Sequence, residues 1–239
     1  MDKLIIIMPV YNEAENIIKT VSDWYTLTEL GNSSKLLLLN DGSTDTSQEI
    51  IEQLQLDHPN LLLHNKANGG HGHTVRLGYQ LALDNAADYI FQTDSDGQTN
   101  PEEFYEFWQN RDKYNAILGN RRNREDGLYR KFVSLVLRVV NRLMFGVYLQ
   151  DANVPFRLIQ RETLEELLPH IPEDFRLSNV LLSVLLKNTK RNVKLIDISF
   201  KDRLAGTNSI NFRTSFSEAV LFLKQVKELR RTHKNYKES

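Results

Sequence analysis

Short apolar runs alternate with amphipathic stretches through the first half of the chain. Residues 4–8, 35–39, 61–64 and 89–92 read as strands. Helical spacing of apolar positions fills 13–30, 44–55, 74–86 and 101–112, the last with Pro101 in its first turn. Residues 115–119 form a fifth strand candidate. The strands are continuously apolar rather than alternating, which predicts a mostly parallel sheet covered by helices on both faces. After residue 120 the pattern changes. A charged loop, 121–127, leads into a long amphipathic helix over 128–149 that carries Arg130, Lys131, Arg138 and Arg142 among Phe132, Leu135, Val139 and Phe145. Further strands are predicted at 155–159 and 193–200, with a buried helix at 179–187 between them. An amphipathic helix at 216–229 and a basic polar tail close the sequence.

Polar clusters sit where each early strand should end. Pro9-Val10-Tyr11-Asn12-Glu13 follows the first, Asp41-Gly42-Ser43-Thr44-Asp45 the second, and residues 66–73 the third. Thr93-Asp94-Ser95-Asp96-Gly97-Gln98 follows the fourth. Open α/β sheets bind ligands outside the carboxyl ends of their strands, so these clusters predict one site along one sheet edge.

Asp94 and Asp96 are the most informative pair. Two acids one residue apart repel unless a cation joins them. Hard divalent ions take carboxylate oxygens together with a substrate's phosphates, which points to a diphosphate ligand. The competing reading is an acidic turn capping the helix that starts near Pro101. Asp41 also has two readings. With Gly42 for a tight turn and Ser43-Thr44 as caps it makes a sound strand–turn–helix junction; as a ligand group its carboxylate accepts hydrogen bonds from a base or ribose. The run Asn68-Gly69-Gly70-His71-Gly72-His73 is not a dinucleotide fingerprint, yet a glycine-rich turn at a helix N-terminus can cradle phosphate through backbone N–H groups. No Walker A sequence is present, and the two histidines lack partners at metal-ligand spacing.

Composition narrows the field. A chain of 239 residues can bury a sizeable core. A net charge of −1 exerts no global pull on nucleic acid, and the lack of cysteine excludes disulfides, thiolate metal sites and thiol nucleophiles. No window of eighteen consecutive apolar residues marks a transmembrane helix, and the first ten residues are strand-like rather than a signal peptide. The basic helix at 128–149 has three open roles: core packing with a solvated cationic face, a partner-protein surface, or an interfacial helix whose Lys and Arg reach lipid phosphates.

In order along the chain, MPVYNEAENI at 8–17, NDGSTD at 40–45, NKANGGHGHTVRLGYQLA at 65–82, TDSDGQTNPE at 93–102, GNR at 119–121, DANVPFRLIQR at 151–161 and RLAGTNSIN at 203–211 form a set. That set resembles the inverting family-two nucleotide-sugar glycosyltransferases with a GT-A fold, and among them the polyprenyl-phosphate glycosyltransferases of the dolichol-phosphate mannosyltransferase type. The resemblance implies a GT-A (Rossmann-like), mostly parallel sheet flanked by helices, followed by C-terminal amphipathic helices. It implies a catalytic domain over 1–212, with a nucleotide-sugar half (1–120) and an acceptor half (121–212), then a helix and tail over 213–239.

The same resemblance assigns roles by position. Pro9, Tyr11, Glu13 and Asp41, with Lys66, Gly70 and Ser95, would hold the nucleotide sugar. Asp94, Asp96 and Gln98 would bind Mg²⁺ or Mn²⁺ on the diphosphate, and Arg203 would close on it. Arg121, Arg130 and Ser134 would grip the acceptor's phosphate. The expected reaction transfers a hexose from a UDP- or GDP-sugar to a polyprenyl phosphate at the cytoplasmic face of a membrane, with peripheral membrane contact. A phosphate acceptor is already ionised near neutral pH, so in-line displacement needs little general-base help; a sugar hydroxyl would need a carboxylate, for which Asp151 is the candidate, its other reading being to orient loop and acceptor. Two alternatives remain: a related enzyme with a sugar or polysaccharide acceptor, and a non-catalytic nucleotide-sugar-binding subunit. The segment DANVPFR departs from the family's usual glycine-phenylalanine-arginine form, with Pro155 at the glycine, and neither donor base nor oligomeric state follows from the sequence.

Overall fold

Seven consecutive residues, Leu4 to Val10, are buried along the first strand, β1 (Leu4–Val10), and a run so apolar can only sit inside a sheet covered on both faces. The computed structural model describes residues 2–121, 151–201 and residue 225. Within them β1 is followed by α1 (Ile17–Tyr25), β2 (Lys35–Asn40), α2 (Ser47–Asp57), β3 (Leu61–Asn65), α3 (His71–Asp84), β4 (Tyr89–Gln92), α4 (Phe104–Gln109) and β5 (Ala116–Arg121). After the undescribed stretch come β6 (Arg157–Gln160), α5 (Arg161–Leu167), α6 (Ser178–Asn188) and β7 (Val193–Ile198).

The strands form one sheet in the order β3-β2-β1-β4-β6-β5-β7. β1 pairs in parallel with β2 and β4, β2 with β3, and β5 with β7, whereas β6 runs antiparallel between β4 and β5. Strand order therefore reverses at β1, which has the earlier strands on one side and β4 on the other. That reversal is the switch point where such sheets open a ligand crevice. The β1–β4 ladder stops at Ile7↔Gln92, two residues short of Pro9, and the chain after β4 peels away there.

Alternation along β4 and β6 divides the packing. Phe91 and Phe156 meet Trp24 from α1 and Phe104 and Phe107 from α4, with Phe91–Phe104 and Phe91–Phe156 ring centroids 4.7 and 4.8 Å apart. Crossed aromatic pairs of this kind favour their edge-to-face geometry beyond the area they bury. On the opposite face α3 lies close against the sheet, because Gly78 leaves room for Leu39 and Ile7.

Boundaries differ from the sequence expectation in instructive places. The first helix begins at Ile17, not 13, and tightens into a 3₁₀ turn over Thr26–Leu30. Asn12 adopts a left-handed φ of 54°, and residues 13–16 form a capping turn on the Glu13 carbonyl. The second helix begins at Ser47 because Asp45 accepts from the Ser47 and Ala14 amides and keeps 44–46 as a turn. The third begins at His71, directly after Gly70. The segment 101–112 is a short α-helix between 3₁₀ turns. α5 was not anticipated, and neither was the antiparallel sense of β6. The predicted helices at 128–149 and 216–229 lie outside the described residues.

Candidate active site

The chain leaving β4 is stitched to β1 rather than left as a solvated loop. The Ser95 hydroxyl donates to the Pro9 carbonyl at 2.8 Å, the Thr20 hydroxyl donates to the Ser95 carbonyl at 3.1 Å, and Thr93 and Thr99 share a hydroxyl hydrogen bond. Gly97 turns the loop with φ 72°. These contacts hold Asp94 and Asp96 at the switch point. Asp96 is nearly buried and accepts from the Gln98 amide, while Asp94 stays partly open with the His71 ring 4.0 Å away. Ser95, expected at the nucleotide, has its hydroxyl turned to β1. Gln98 donates through Nε2 to the Lys201 carbonyl, and its own carbonyl accepts from the Lys201 amide, so it ties the acid loop to the chain leaving β7.

The loops after β2 and β3 close on Asp41. Its carboxylate accepts from the Gly69 amide at 2.8 Å, the Gly70 amide at 2.9 Å and the ammonium of Lys66. The Asn68 side chain donates to the Asp41 carbonyl, and the Asp41 amide donates to the Val10 carbonyl. Burial works against the Asp41 charge, but Lys66 and the Gly69 amide outweigh it and hold the carboxyl below its ordinary range. Gly42, at φ 68°, is required here, since a Cβ would stand 2.7 Å from the Asn68 amide. Asp45, also held below its ordinary range against burial by the Ser47 hydroxyl and amide, fixes the next turn. Tyr11 remains exposed and Glu13 is buried, with its amide donating to the Ser47 hydroxyl. Pro9, Tyr11, Glu13, Asp41, Lys66, Gly70, Asp94, Ser95 and Asp96 thus fall on one edge of the sheet.

A second pair lies on the other flank. Arg121, at the end of β5, grips Asp151 with both arms of its fork: Nε to Oδ2 at 2.6 Å and Nη2 to Oδ1 at 2.7 Å. Both side chains are nearly buried, and the guanidinium also stacks 4.8 Å over the Phe200 ring. The two residues assigned separate roles from the sequence are therefore one unit. Arg130, Ser134 and Arg203 lie outside the described residues.

Two arginines carry no role in the sequence reading, although Arg157 falls in the quoted segment DANVPFR. Arg176 donates to the Gly69 carbonyl and fills the space beside Gly70, where a Cβ would come within 2.5 Å of its Nη1. Nothing in a single sequence marks it. Arg157 is fully buried in β6, and a charge inside the apolar run Phe156-Arg157-Leu158-Ile159 was the signal that could have singled it out.

The donor chemistry suits a hard cation. Asp94 and Asp96 offer carboxylate oxygens, and Gln98 an amide oxygen. Among the described residues no group of three or more His, Cys, Asp or Glu gathers that could hold a metal by itself. An ion here would complete its shell with phosphate oxygens and water, the habit of Mg²⁺ and Mn²⁺ at phosphate sites.

The architecture agrees with known proteins. The chain aligns over 95% of its length with glucosyl-3-phosphoglycerate synthase from Mycobacterium tuberculosis, solved with phosphoglyceric acid (TM-score 0.66, 13% identity, 80% of that chain). It also aligns with residues 1–349 of S. aureus TarS in complex with UDP-GlcNAc (TM-score 0.61, 16% identity, 87% of this chain and 61% of that one). At these identities the likeness establishes the GT-A fold. In sequence it is 26% identical over 212 residues to the undecaprenyl-phosphate 4-deoxy-4-formamido-L-arabinose transferase of Pectobacterium carotovorum, covering 87% of this chain and 62% of that protein. The same-named protein of Salmonella typhimurium is 28% identical over 171 residues, 70% of this chain and 51% of its own. The chain thus spans between half and two thirds of those relatives' length. The sequence model of the family described as Glycosyl transferase family 2 matches residues 5–173, a span that holds the acid loop, the Asp41 turn and the Arg121–Asp151 pair, and the chain belongs to that family.

Proposed function

We propose that the protein is a metal-dependent inverting glycosyltransferase that moves a sugar from a UDP- or GDP-sugar to a polyprenyl phosphate at the cytoplasmic face of a membrane. The observation that carries the reading is the placement of Asp94 and Asp96 at the switch point, on the same sheet edge as the loops gathered on Asp41. Relatives named as undecaprenyl-phosphate transferases support the lipid acceptor, and a neighbour solved with Mn²⁺ and UDP-glucose supports the metal and the donor class.

In this reading Pro9, Tyr11, Glu13, Asp41, Lys66 and Gly70 bound the nucleoside. Asp94, Asp96 and Gln98 hold the cation, which when bound offsets charge on the departing nucleoside diphosphate. Arg203 adds a second positive charge there. On the acceptor side, Arg121, Arg130 and Ser134 present donors to the lipid phosphate, and Asp151 aims the Arg121 fork. The engagement of both Asp151 oxygens by Arg121 favours this over a base role, and so favours an acceptor that needs no base over a sugar hydroxyl. Membrane contact falls to the amphipathic stretches at 128–149 and 216–229; among the described residues no helix is long and apolar enough to cross a membrane.

A donor screen tests the proposal. Purified protein is incubated with Mn²⁺ or Mg²⁺ and labelled UDP-glucose, UDP-galactose, UDP-GlcNAc, UDP-linked 4-deoxy-4-formamido-L-arabinose or GDP-mannose, with and without short polyprenyl phosphate. Label extracted into organic solvent only when lipid is present is the expected result. Donor hydrolysis without lipid product transfers the assignment to a soluble acceptor, and nucleotide binding without donor loss transfers it to a non-catalytic subunit.

A further inference from the structure

Arg157 is 0% exposed, and no carboxylate among the described residues pairs with it. Its guanidinium is satisfied by neutral acceptors instead. Nε and Nη2 donate to the Val154 carbonyl at 3.0 and 2.7 Å, and Nη2 also to the Ala152 carbonyl at 3.2 Å. Nη1 donates to the Asn179 carbonyl at 3.1 Å and the Ser183 hydroxyl at 3.3 Å, both on α6. The Ser183 hydroxyl stands 2.9 Å from the Ala152 carbonyl and 2.8 Å from the Asn179 carbonyl, which share its one proton, so two side chains converge on the residue next to Asp151.

A guanidinium cannot shed its proton under ordinary conditions, so burying one without a counter-ion is costly. Burial does push the Arg157 pKa down, opposed mainly by Tyr79 and then Asp151. A hydrophobic residue in β6 would fill the same strand position without that cost. What it could not do is bind three successive points, Ala152, Val154 and α6, at once. A planar fork with five N–H groups does so; the three donors of an ammonium cannot satisfy the same set.

We infer that Arg157 is a positioning residue for the acceptor side: by clamping 152–154 onto α6 it holds Asp151 where it aims the fork of Arg121. This rests on the proposed lipid-phosphate transfer for its kinetic readout, but the clamp itself can be measured without turnover. The linkage runs in one direction through covalent neighbours and hydrogen bonds: α6, Arg157 and Ser183, the Ala152 carbonyl, Asp151, Arg121. Among the described residues the donor side meets this set at the first turn of α6, where the Ser178 hydroxyl donates to the Gly72 carbonyl, a bond that neither Arg157 nor Ser183 makes.

The test uses Arg157→Lys, Arg157→Met and the milder Ser183→Ala in the full chain. Acceptor KM is expected to rise at least tenfold in Arg157→Met and less in Arg157→Lys and Ser183→Ala, while UDP or GDP affinity measured by calorimetry with Mn²⁺ stays within twofold. Hydrogen exchange read by mass spectrometry is expected to quicken in peptides covering 151–155 and not in those covering 40–45 or 66–72. Nucleotide affinity lost in step with acceptor KM, or exchange quickened throughout, would make Arg157 an ordinary core residue and overturn the inference. Should Arg157→Met not fold, Ser183→Ala and Arg157→Lys decide by the same two readouts. If the wild-type protein turns over no lipid acceptor, the functional proposal has failed, and exchange at 151–155 still supports or overturns the clamp.

Discussion

Arg121 and Asp151 meet through two parallel hydrogen bonds of 2.6 and 2.7 Å, and the side chains are only 7% and 9% exposed. A nearly buried fork pair differs from a surface ion pair: removing one partner leaves the other charge desolvated and unpaired. Asp151 therefore orients Arg121, and the N–H groups it does not engage, the pair on Nη1 and the second on Nη2, are what Arg121 can offer an anionic acceptor.

Replacing Asp151 by Asn keeps its shape and removes its charge. Acceptor KM should rise about tenfold or more, the range of one lost charge-assisted hydrogen bond, with the pH profile of kcat unchanged. Arg121→Ala should raise it at least as much, and Arg130→Ala should cost more than Asp151→Asn in steady-state kinetics. Loss of the acid limb of the kcat profile in Asp151→Asn would instead identify Asp151 as a general base and the acceptor as a hydroxyl.

Chelation should abolish transfer, with Mn²⁺ or Mg²⁺ restoring it. Asp96→Ala should match the chelated wild type: folded by circular dichroism, inactive, and binding UDP or GDP with the same affinity with or without Mn²⁺. Full activity in excess EDTA would refute metal-bridged chemistry.

Asp41 makes the fold acid-sensitive in a definite direction. Because its folded pKa is below the ordinary 3.8, its stabilisation is complete above that value and is lost as the pH falls through it toward the lower folded value. Thermal melts of the wild type should drop steeply below about pH 4. Asp41→Asn should melt lower at neutral pH and lose part of that steepness; Asp45, with the same sign, retains the remainder. Nucleotide affinity measured on the same variant separates the two readings of this residue: a purely structural turn leaves it within a few-fold once folded.

Gly72 packs the start of α3 against the loop before α6. A Cβ there would overlap the Arg176 carbonyl oxygen and stand 2.6 Å from that of Phe175. Both are backbone atoms, and the Ser178 hydroxyl already donates to the Gly72 carbonyl. Gly72→Ala should cost about 1–3 kcal/mol, an overpacking cost measurable by chemical denaturation, despite alanine's better helix propensity.

The early strands were legible because continuous apolar runs such as residues 4–8 and 35–39 have only one environment that satisfies them, and the place of the acid pair was legible because it directly follows such a run, at 89–92. The ordered motifs carried the family. Helix starts were less legible: the first helix waits for Ile17 because of a left-handed Asn12, and the third starts early because Gly70 can take φ 86°. Neither is visible in hydrophobic spacing.

What the sequence determined by itself was which segments are buried and which polar groups follow each strand, since these depend on local spacing. Only the tertiary structure decided partners. It placed β6 antiparallel between β4 and β5, joined Arg121 to Asp151, turned Ser95 toward Pro9, and gave Arg157 its carbonyls. Such pairings join residues tens of positions apart, or depend on the path of a turn. No periodicity along the chain encodes them; they are set by which strands close on each other and by the need of every buried charge and hydroxyl to find a hydrogen-bonding partner.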